Sequence, residues 1–410
     1  MTLSLHWFLP TAGDSRDVVG FGPTAVQRDA DLDYLTQVAR AAERVGFDAV
    51  LTPTGTWCDD AWVTTAALIG ATTRLRFLVA FRPGFVSPTL AAQQAVTFQR
   101  LSGGRLLLNV VTGGSAEEQR RFGDFADHDT RYDRTAEFLE IVRGAWSGTP
   151  FDYSGTHYRV DGAIVAHRPA PQPPIFLGGS SDAGKQVAAR HADTWLMWGE
   201  PPDVAAEQVR EVRALAAAAE REIRFGVRLH VITRDRAEDA WAVTDRLLEA
   251  MPPDVVARAQ KHLAYAESVG QRRMAALHGG RRDDLVVAPN LWAGFGLVRS
   301  GAGTALVGSH DEVAARIAEY HRAGFDHVIL SGQPHLEEAY WFGEGVIPRL
   351  RAAGLLGAPA APPGLLGAPA ASAGPVAPAA AAEPAANGPA VGGPSGREPG
   401  ATHLAPASAG

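Results

Sequence analysis

In the stretch FGVRLHVI, Phe225 to Ile232, a guanidinium and an imidazole stand two positions apart in an otherwise apolar run. A strand sends alternate side chains to opposite faces, so Gly226, Arg228, His230 and Ile232 share one face while Phe225, Val227, Leu229 and Val231 share the other. A buried cation without a partner costs on the order of several kcal/mol, so Arg228 must meet either a carboxylate on a neighbouring strand or an anionic ligand. His230 is read in two ways: as a group of the same site, or as a core histidine satisfied by a backbone group.

A second stretch, IFLGGSSD (Ile175 to Asp182), ends an apolar run in small residues at the start of a helical pattern. Free backbone N–H groups and two hydroxyls at Gly179, Ser180 and Ser181 can hold a phosphate there, or Ser181 can simply cap the helix. Asn109 and Thr112 place polar groups at the end of another apolar run, LLLNVVTGG, and TPTGTWCDDAW and WLMW add aromatics at two more. Together these suit a planar, phosphate-bearing cofactor such as flavin mononucleotide (FMN). Other chemistries are not written here. HExxH is absent, Asp182 stands where a GxSxG elbow needs its last glycine, and the glycines from Gly294 to Gly303 do not form GxGxxG after a strand. His335 and Glu338, three apart on a helical pattern, read as surface polarity.

Eight strand patterns must position these residues: Leu3 to Leu9, Ala49 to Thr52, Leu75 to Phe81, Leu106 to Thr112, Ile175 to Leu177, Thr194 to Trp198, Arg224 to Ile232 and His327 to Ser331. Amphipathic helical stretches fall between them, among them Asp31 to Val45, Leu90 to Leu101, Arg131 to Trp146, Pro202 to Glu220 and Leu336 to Leu350. That alternation predicts an α/β fold with a parallel sheet, and eight repeats favour closure into a (β/α)8 TIM barrel over an open doubly wound sheet. FDYSGTHYRV (Phe151 to Val160) reads as an inserted hairpin. A longer insertion, from about 251 to 306, precedes the last strand as a candidate lid, and its polar GGRRDDLVV is expected to be mobile.

The 410-residue chain carries a formal net charge of -7, with 46% hydrophobic and 20% charged residues, so it lacks the basic footprint of a nucleic-acid binder. Cys58 is the single cysteine, which rules out an internal disulfide and a multi-cysteine metal centre; no metal is expected. Pro10 and Asp14 interrupt the first apolar run too early for a secretory signal, and no run is long enough to span a bilayer. A cytoplasmic protein that engages no membrane and no nucleic acid is the expectation. The barrel is assigned to residues 1–353. From Gly354 the composition turns to Ala, Pro and Gly, with the octet GLLGAPAA at 354–361 and again at 364–371, and 354–410 is expected to be a disordered tail.

The segments WFLPTAGD (Trp7 to Asp14), SPTLAAQQAVTFQRLSGGRLLLNVVTG (Ser87 to Gly113), HDTRY (His128 to Tyr132), FLGGSSD (Phe176 to Asp182), WGEPP (Trp198 to Pro202), IRFGVRLHVI (Ile223 to Ile232), PNLWAGFGLVRSGAGTALVG (Pro289 to Gly308) and SGQPHLEEAY (Ser331 to Tyr340) resemble the bacterial reduced-FMN-dependent alkanesulfonate monooxygenases, of the luciferase-like flavin monooxygenases. The match runs over about residues 3 to 350. It implies reduced FMN supplied by a separate NAD(P)H-dependent FMN reductase, oxygen as co-substrate, and cleavage of the carbon–sulfur bond of a small organosulfonate to an aldehyde and sulfite, in the service of sulfur assimilation. It further implies that Arg228 and Arg299 bind anions, that His230, Trp198 and Cys58 line the active site, and that Tyr132 joins Asn109, Thr112, Gly179, Ser180 and Ser181 around the cofactor. A homo-oligomer, dimer or tetramer, is implied as well.

Two positions depart from the pattern. Ala12 replaces the family's usual histidine, and Gln333 replaces its usual tyrosine, so an acid role at 333 is lost because an amide does not titrate. The departures leave open a related substrate such as a sulfone, a deazaflavin-dependent oxidoreductase, or a catalytically silent flavin-binding relative.

Overall fold

A computed structural model describes residues 2–18 and 27–357. Eight parallel strands close on themselves: β1 (Ser4–Phe8), β2 (Ala49–Thr52), β3 (Arg76–Phe81), β4 (Leu106–Val110), β5 (Ile175–Gly178), β6 (Thr194–Trp198), β7 (Arg224–Arg234) and β8 (His327–Ser331). Each pairs with the next, and β8 returns to β1 with Ser4 opposite His327. This is the (β/α)8 barrel expected from the alternation of patterns.

The helices begin where the sequence supplies caps. Ser87 accepts from the Leu90 N–H ahead of Pro88–Leu101, and Ser181 accepts from Gly184 at 3.2 Å ahead of Asp182–His191. Asp127 accepts from Thr130 at 2.8 Å, which starts the helix His128–Ala145 three residues before the helical periodicity suggests. Their apolar faces pack on the outer face of the barrel, where Trp7, Phe47, Phe342 and Trp195 are buried.

Inside the barrel, Ala49, Leu51, Leu78, Leu107, Phe176, Leu196 and Ile329 form one packed cluster. Gly226 belongs to it by alternation, and a Cβ there would come within 2.4 Å of Leu196 Cδ2. Against this cluster, His6 Nε2 meets His327 Nδ1 at 3.0 Å, with the ring of Phe176 against both. The interior is therefore packed shut below, and its polar groups open only at the strand C-terminal ends.

The hairpin insertion is present, Phe151–Ser154 antiparallel to Arg159–Ala163. The longer insertion contributes helices Pro253–Leu263 and Val269–His278, short strands Val286–Ala288 and Leu291–Trp292, and a strand Ala305–Ser309. That last strand lies parallel to the second half of β7, with Ala305 opposite His230. Within GGRRDDLVV, Arg282 donates to the Leu248 carbonyl at 2.8 Å and Leu285 is buried, so this polar segment is fastened to the barrel helices at two points. Leu3 N–H donates to the Leu355 carbonyl at 2.8 Å, and the tail from 358 onward lies outside the described residues. No helix among the described residues is long and apolar enough to cross a membrane.

Candidate active site

The alternation read from β7 holds, and its consequence is a chain of hydrogen bonds across the barrel mouth. Arg228 Nη1 donates to Ser331 Oγ at 2.9 Å, and Ser331 Oγ lies 2.7 Å from His230 Nδ1. His230 Nε2 lies 3.1 Å from the Ala302 carbonyl, which can only accept, so Nε2 carries the hydrogen and Nδ1 takes the serine proton. The imidazole also stacks on Phe295 with centroids 4.1 Å apart. Burial, followed by the charges of Arg228 and Arg299, pushes the His230 pKa well below the usual imidazole range, so the ring is neutral. The backbone-satisfied histidine was one of two readings of the sequence, and the structure shows that satisfaction together with a position at the mouth.

Neither arginine has a carboxylate partner among the described residues. Arg228 packs over the Phe8 ring at 4.6 Å and donates to the Leu229 carbonyl, while Arg299 Nη1 donates to Gln333 Oε1 at 2.9 Å. Burial and the nearby charge of Arg299 pull the Arg228 pKa down to about 9, and burial lowers that of Arg299 too. The charge of Asp14 reaches Arg299, but no carboxylate acts on Arg228 among the described residues, and an anion placed beside it would supply that counter-charge. The ion pair with a neighbouring strand, an open alternative for Arg228, is not formed.

Sequence reasoning missed three members of this group: Ser331, Asp14 and His335. Asp14, on the turn after β1, accepts from Ser15 N–H, from the Tyr34 hydroxyl, and from both the N–H (2.7 Å) and Nδ1 (2.9 Å) of His335. Burial opposes its charge, but the His335 interactions and the Tyr34 hydroxyl outweigh it and hold the carboxyl at about 2. His335 and Glu338 correct the surface reading: both are buried, His335 on Asp14 and Glu338 in a two-armed pair with Arg234 at 2.6 and 2.9 Å. The available signal was their place in the segments WFLPTAGD and SGQPHLEEAY, each of which follows a barrel strand. No group of three or more His, Cys, Asp or Glu among the described residues could hold a metal.

The residues assigned to the cofactor form a second group across the mouth. Tyr132, Thr112 and Gly179 converge with Ser181: the tyrosine hydroxyl interacts with the Thr112 and Ser181 side chains, and burial raises its pKa. Trp195 Nε1 donates to the Gly179 carbonyl at 2.9 Å. A Cβ on Gly179 would fall 2.4 Å from the tyrosine oxygen, which explains the glycine. The N–H groups of Ser180 and Ser181 have no acceptor among the described residues. Asn109 is buried on the inner face of β4 between Ala80 and Phe176. The insertion helix Val269–His278 packs over Trp198 and Ser180, since a Cβ on Gly270 would lie 3.1 Å from the Trp198 ring and 3.6 Å from Ser180 Oγ.

Cys58 shares no hydrogen bond with either group among the described residues. Its Sγ points to the Gly55 carbonyl at 3.7 Å, beside Thr11, and burial raises the thiol to about 11. Ala12 is exposed on the turn Pro10–Gly13, and Gln333 is buried, its Nε2 donating to the Asp17 carbonyl at 2.5 Å.

The pattern of the luciferase-like monooxygenases matches residues 3–327. The chain belongs to that family. Among solved structures it is similar to a riboflavin lyase determined with modified FMN and riboflavin, at 24% identity and a TM-score of 0.73, over 88% of this chain and 94% of that one. An EDTA monooxygenase from Chelativorans sp. BNC1 superposes with a TM-score of 0.68 at 20% identity, over 87% and 95% of the two chains. An F420-dependent secondary alcohol dehydrogenase does so with a TM-score of 0.62 at 18% identity, over 86% and 100%. At these identities the structural likenesses establish the barrel alone.

Within this luciferase-like barrel the second group fits a phosphate-bearing flavin. Unengaged N–H groups at a helix start, a buried tyrosine hydroxyl and a glycine cradle supply donors and room for a phosphate. Asn109 and Thr112 supply polar groups on the barrel side, and Trp198 supplies an aromatic wall.

Proposed function

We propose that this protein is a reduced-FMN-dependent monooxygenase that cleaves the carbon–sulfur bond of small alkanesulfonates. The observation that carries the reading is the pair Arg228 and Arg299, two half-buried guanidiniums at one barrel mouth with no ion-pair partner among the described residues. A tetrahedral sulfonate supplies the missing charge and several acceptor oxygens. The overall change is one sulfonate, one dioxygen and one reduced FMN going to one aldehyde, one sulfite, one water, one proton and oxidised FMN. When bound, the reduced flavin supplies the two electrons that split dioxygen between substrate and water.

The protein's own contribution is to hold and shield. Ser180, Ser181 and Tyr132 hold the phosphate; Arg228 and Arg299 orient the sulfonate. Neutral His230 fixes Ser331, and Ser331 fixes one arm of Arg228. Phe8, Phe295 and Trp198 exclude water from the cleft. Reduced FMN comes from a separate NAD(P)H-dependent FMN reductase in this reading, and the protein works as a homo-oligomer in the cytoplasm.

The test is sulfite release from a chain-length series of alkanesulfonates and sulfones, with FMN, NAD(P)H, oxygen and a generic FMN reductase. Sulfite from a sulfonate, abolished in Arg299→Ala, supports the reading. Turnover of sulfones alone moves the chemistry to a related organosulfur substrate, for which Gln333 in place of tyrosine is the relevant departure. Substrate oxidation that needs no oxygen points to a deazaflavin oxidoreductase. Flavin binding without turnover marks a silent relative.

A further inference from the structure

Breaking a carbon–sulfur bond to give an aldehyde releases a proton, and most groups at the mouth cannot take it. His230 has both ring nitrogens engaged. Gln333 does not titrate, the Cys58 thiol is raised to about 11 by burial, and the guanidiniums offer no acceptor. His335 remains. Its Nδ1 donates to Asp14, whereas Nε2 makes no hydrogen bond among the described residues. The imidazole lies against the Phe8 ring, centroids 5.6 Å apart, and the other neighbour of that ring is Arg228.

Resting on the sulfonate reading above, we propose that His335 Nε2 accepts the proton released when an α-hydroxyalkanesulfonate collapses to aldehyde and sulfite, while Asp14 holds Nδ1–H. In that step the hydroxyl O–H bond breaks, its electron pair becomes the carbonyl π bond, and the carbon–sulfur bond breaks with its pair leaving on sulfite. The proton goes to Nε2 and then to solvent; no oxidant is consumed. The arrangement suits the task, because an imidazole fixed through one nitrogen by a carboxylate presents the other as a base and is stabilised once charged. The charged and titratable groups around the pair are Tyr34 from the helix Leu32–Val45, Arg228 and His230 from β7, Arg299 from the insertion and Glu337 beside it in sequence. Asp14 is a positioning residue in this scheme.

Two measurements test it. Long-range nitrogen–proton spectra of the flavin-free wild type are expected to show His335 as the Nδ1–H tautomer with a bare Nε2, and His230 as the Nε2–H tautomer. A His335 found as the Nε2–H tautomer overturns the proposal. In the coupled sulfite assay His335→Asn, which can still donate to Asp14, is expected to lower kcat by about 100-fold with KM changed less than about threefold, and to lose the acidic limb of the kcat profile. Asp14→Asn is expected to keep FMN affinity and shift that limb. An unchanged kcat and pH profile in His335→Asn overturns the proposal. A wild type that releases no sulfite from any sulfonate sinks the substrate reading separately, and the spectra still decide whether His335 Nε2 is bare.

Discussion

Arg299 is held by Gln333, whose Oε1 accepts from the guanidinium at 2.9 Å while its Nε2 donates to the Asp17 carbonyl at 2.5 Å. The amide thus joins the end of the long insertion to the segment after β1. A phenol could offer only one oxygen at the same place, so what reads in the sequence as a lost titratable group is a two-ended clasp. Gln333→Leu, which keeps the volume and removes both bonds, is expected to raise KM for the sulfonate by about tenfold and to cost roughly 1–3 kcal/mol of stability. Steady-state kinetics with urea unfolding check this; a KM unchanged in Gln333→Leu dismisses the clasp.

The contact of Gly179 with the Tyr132 hydroxyl predicts a paired effect. Gly179→Ala should weaken FMN binding about tenfold or more, because its methyl group would sit 2.4 Å from the tyrosine oxygen. Removing that oxygen as well, in Gly179→Ala with Tyr132→Phe, should recover part of the loss. Flavin fluorescence quenching measures both, and additive losses in the double variant would contradict the geometry.

The histidine pair beneath the barrel interior predicts acid sensitivity. Burial and neighbouring positive charge lower the pKa of His327 to about 3, and burial and His327 push that of His6 well down. Both groups are neutral when folded and bind protons more readily when unfolded, with an unfolded value near 6.5. Their stabilising contribution is therefore fully present above about pH 6.5 and is lost as pH falls from there towards about 3, at up to roughly 1.4 kcal/mol per pH unit for each ring. Denaturant midpoints between about pH 7.5 and about pH 5 should fall in the wild type and fall less steeply in His6→Phe with His327→Leu. Equal slopes would show that other groups set the acid limit.

Glu200 predicts what anchors the lid helix. It is buried and takes Arg273 at 2.7 and 2.5 Å, with Gln208 at 3.1 Å as its other side-chain partner. Arg273→Ala leaves that carboxylate without its cation, a loss of about 1–3 kcal/mol because the arginine is more than one-third exposed and water screens the pair. Much of the loss should appear as loosening of the helix Val269–His278. Limited proteolysis should then cut within 251–304 faster than in the wild type; an unchanged cleavage rate would mean that the ion pair does not hold the helix.

Part of this was legible in the sequence, for identifiable reasons. Period-two alternation placed Arg228 and His230 on one inner face, and the small residues Gly179 to Ser181 marked a strand-to-helix junction, where Ser181 caps the helix. What alternation cannot give is the partner across the barrel. Ser331 and His335 are about a hundred residues from β7, and Asp14 meets His335 only because β8 closes on β1. Glu338 was misread because helical spacing does not say which helix face a distant Arg234 will cover.

β7 is eleven residues long, and its second half is paired along Ala305–Ser309 from the insertion. The insertion therefore does not hang from the scaffold as an exchangeable module. Excising 251–304 together with that strand would strip the outer half of β7 of a hydrogen-bonded neighbour and leave a bare edge of Val231, Ile232 and Thr233, the kind of template on which chains aggregate. Substrate range in this protein is thus expected to diversify by point substitution within the insertion, because exchanging the whole segment between relatives would dismantle the strand that carries both Arg228 and His230.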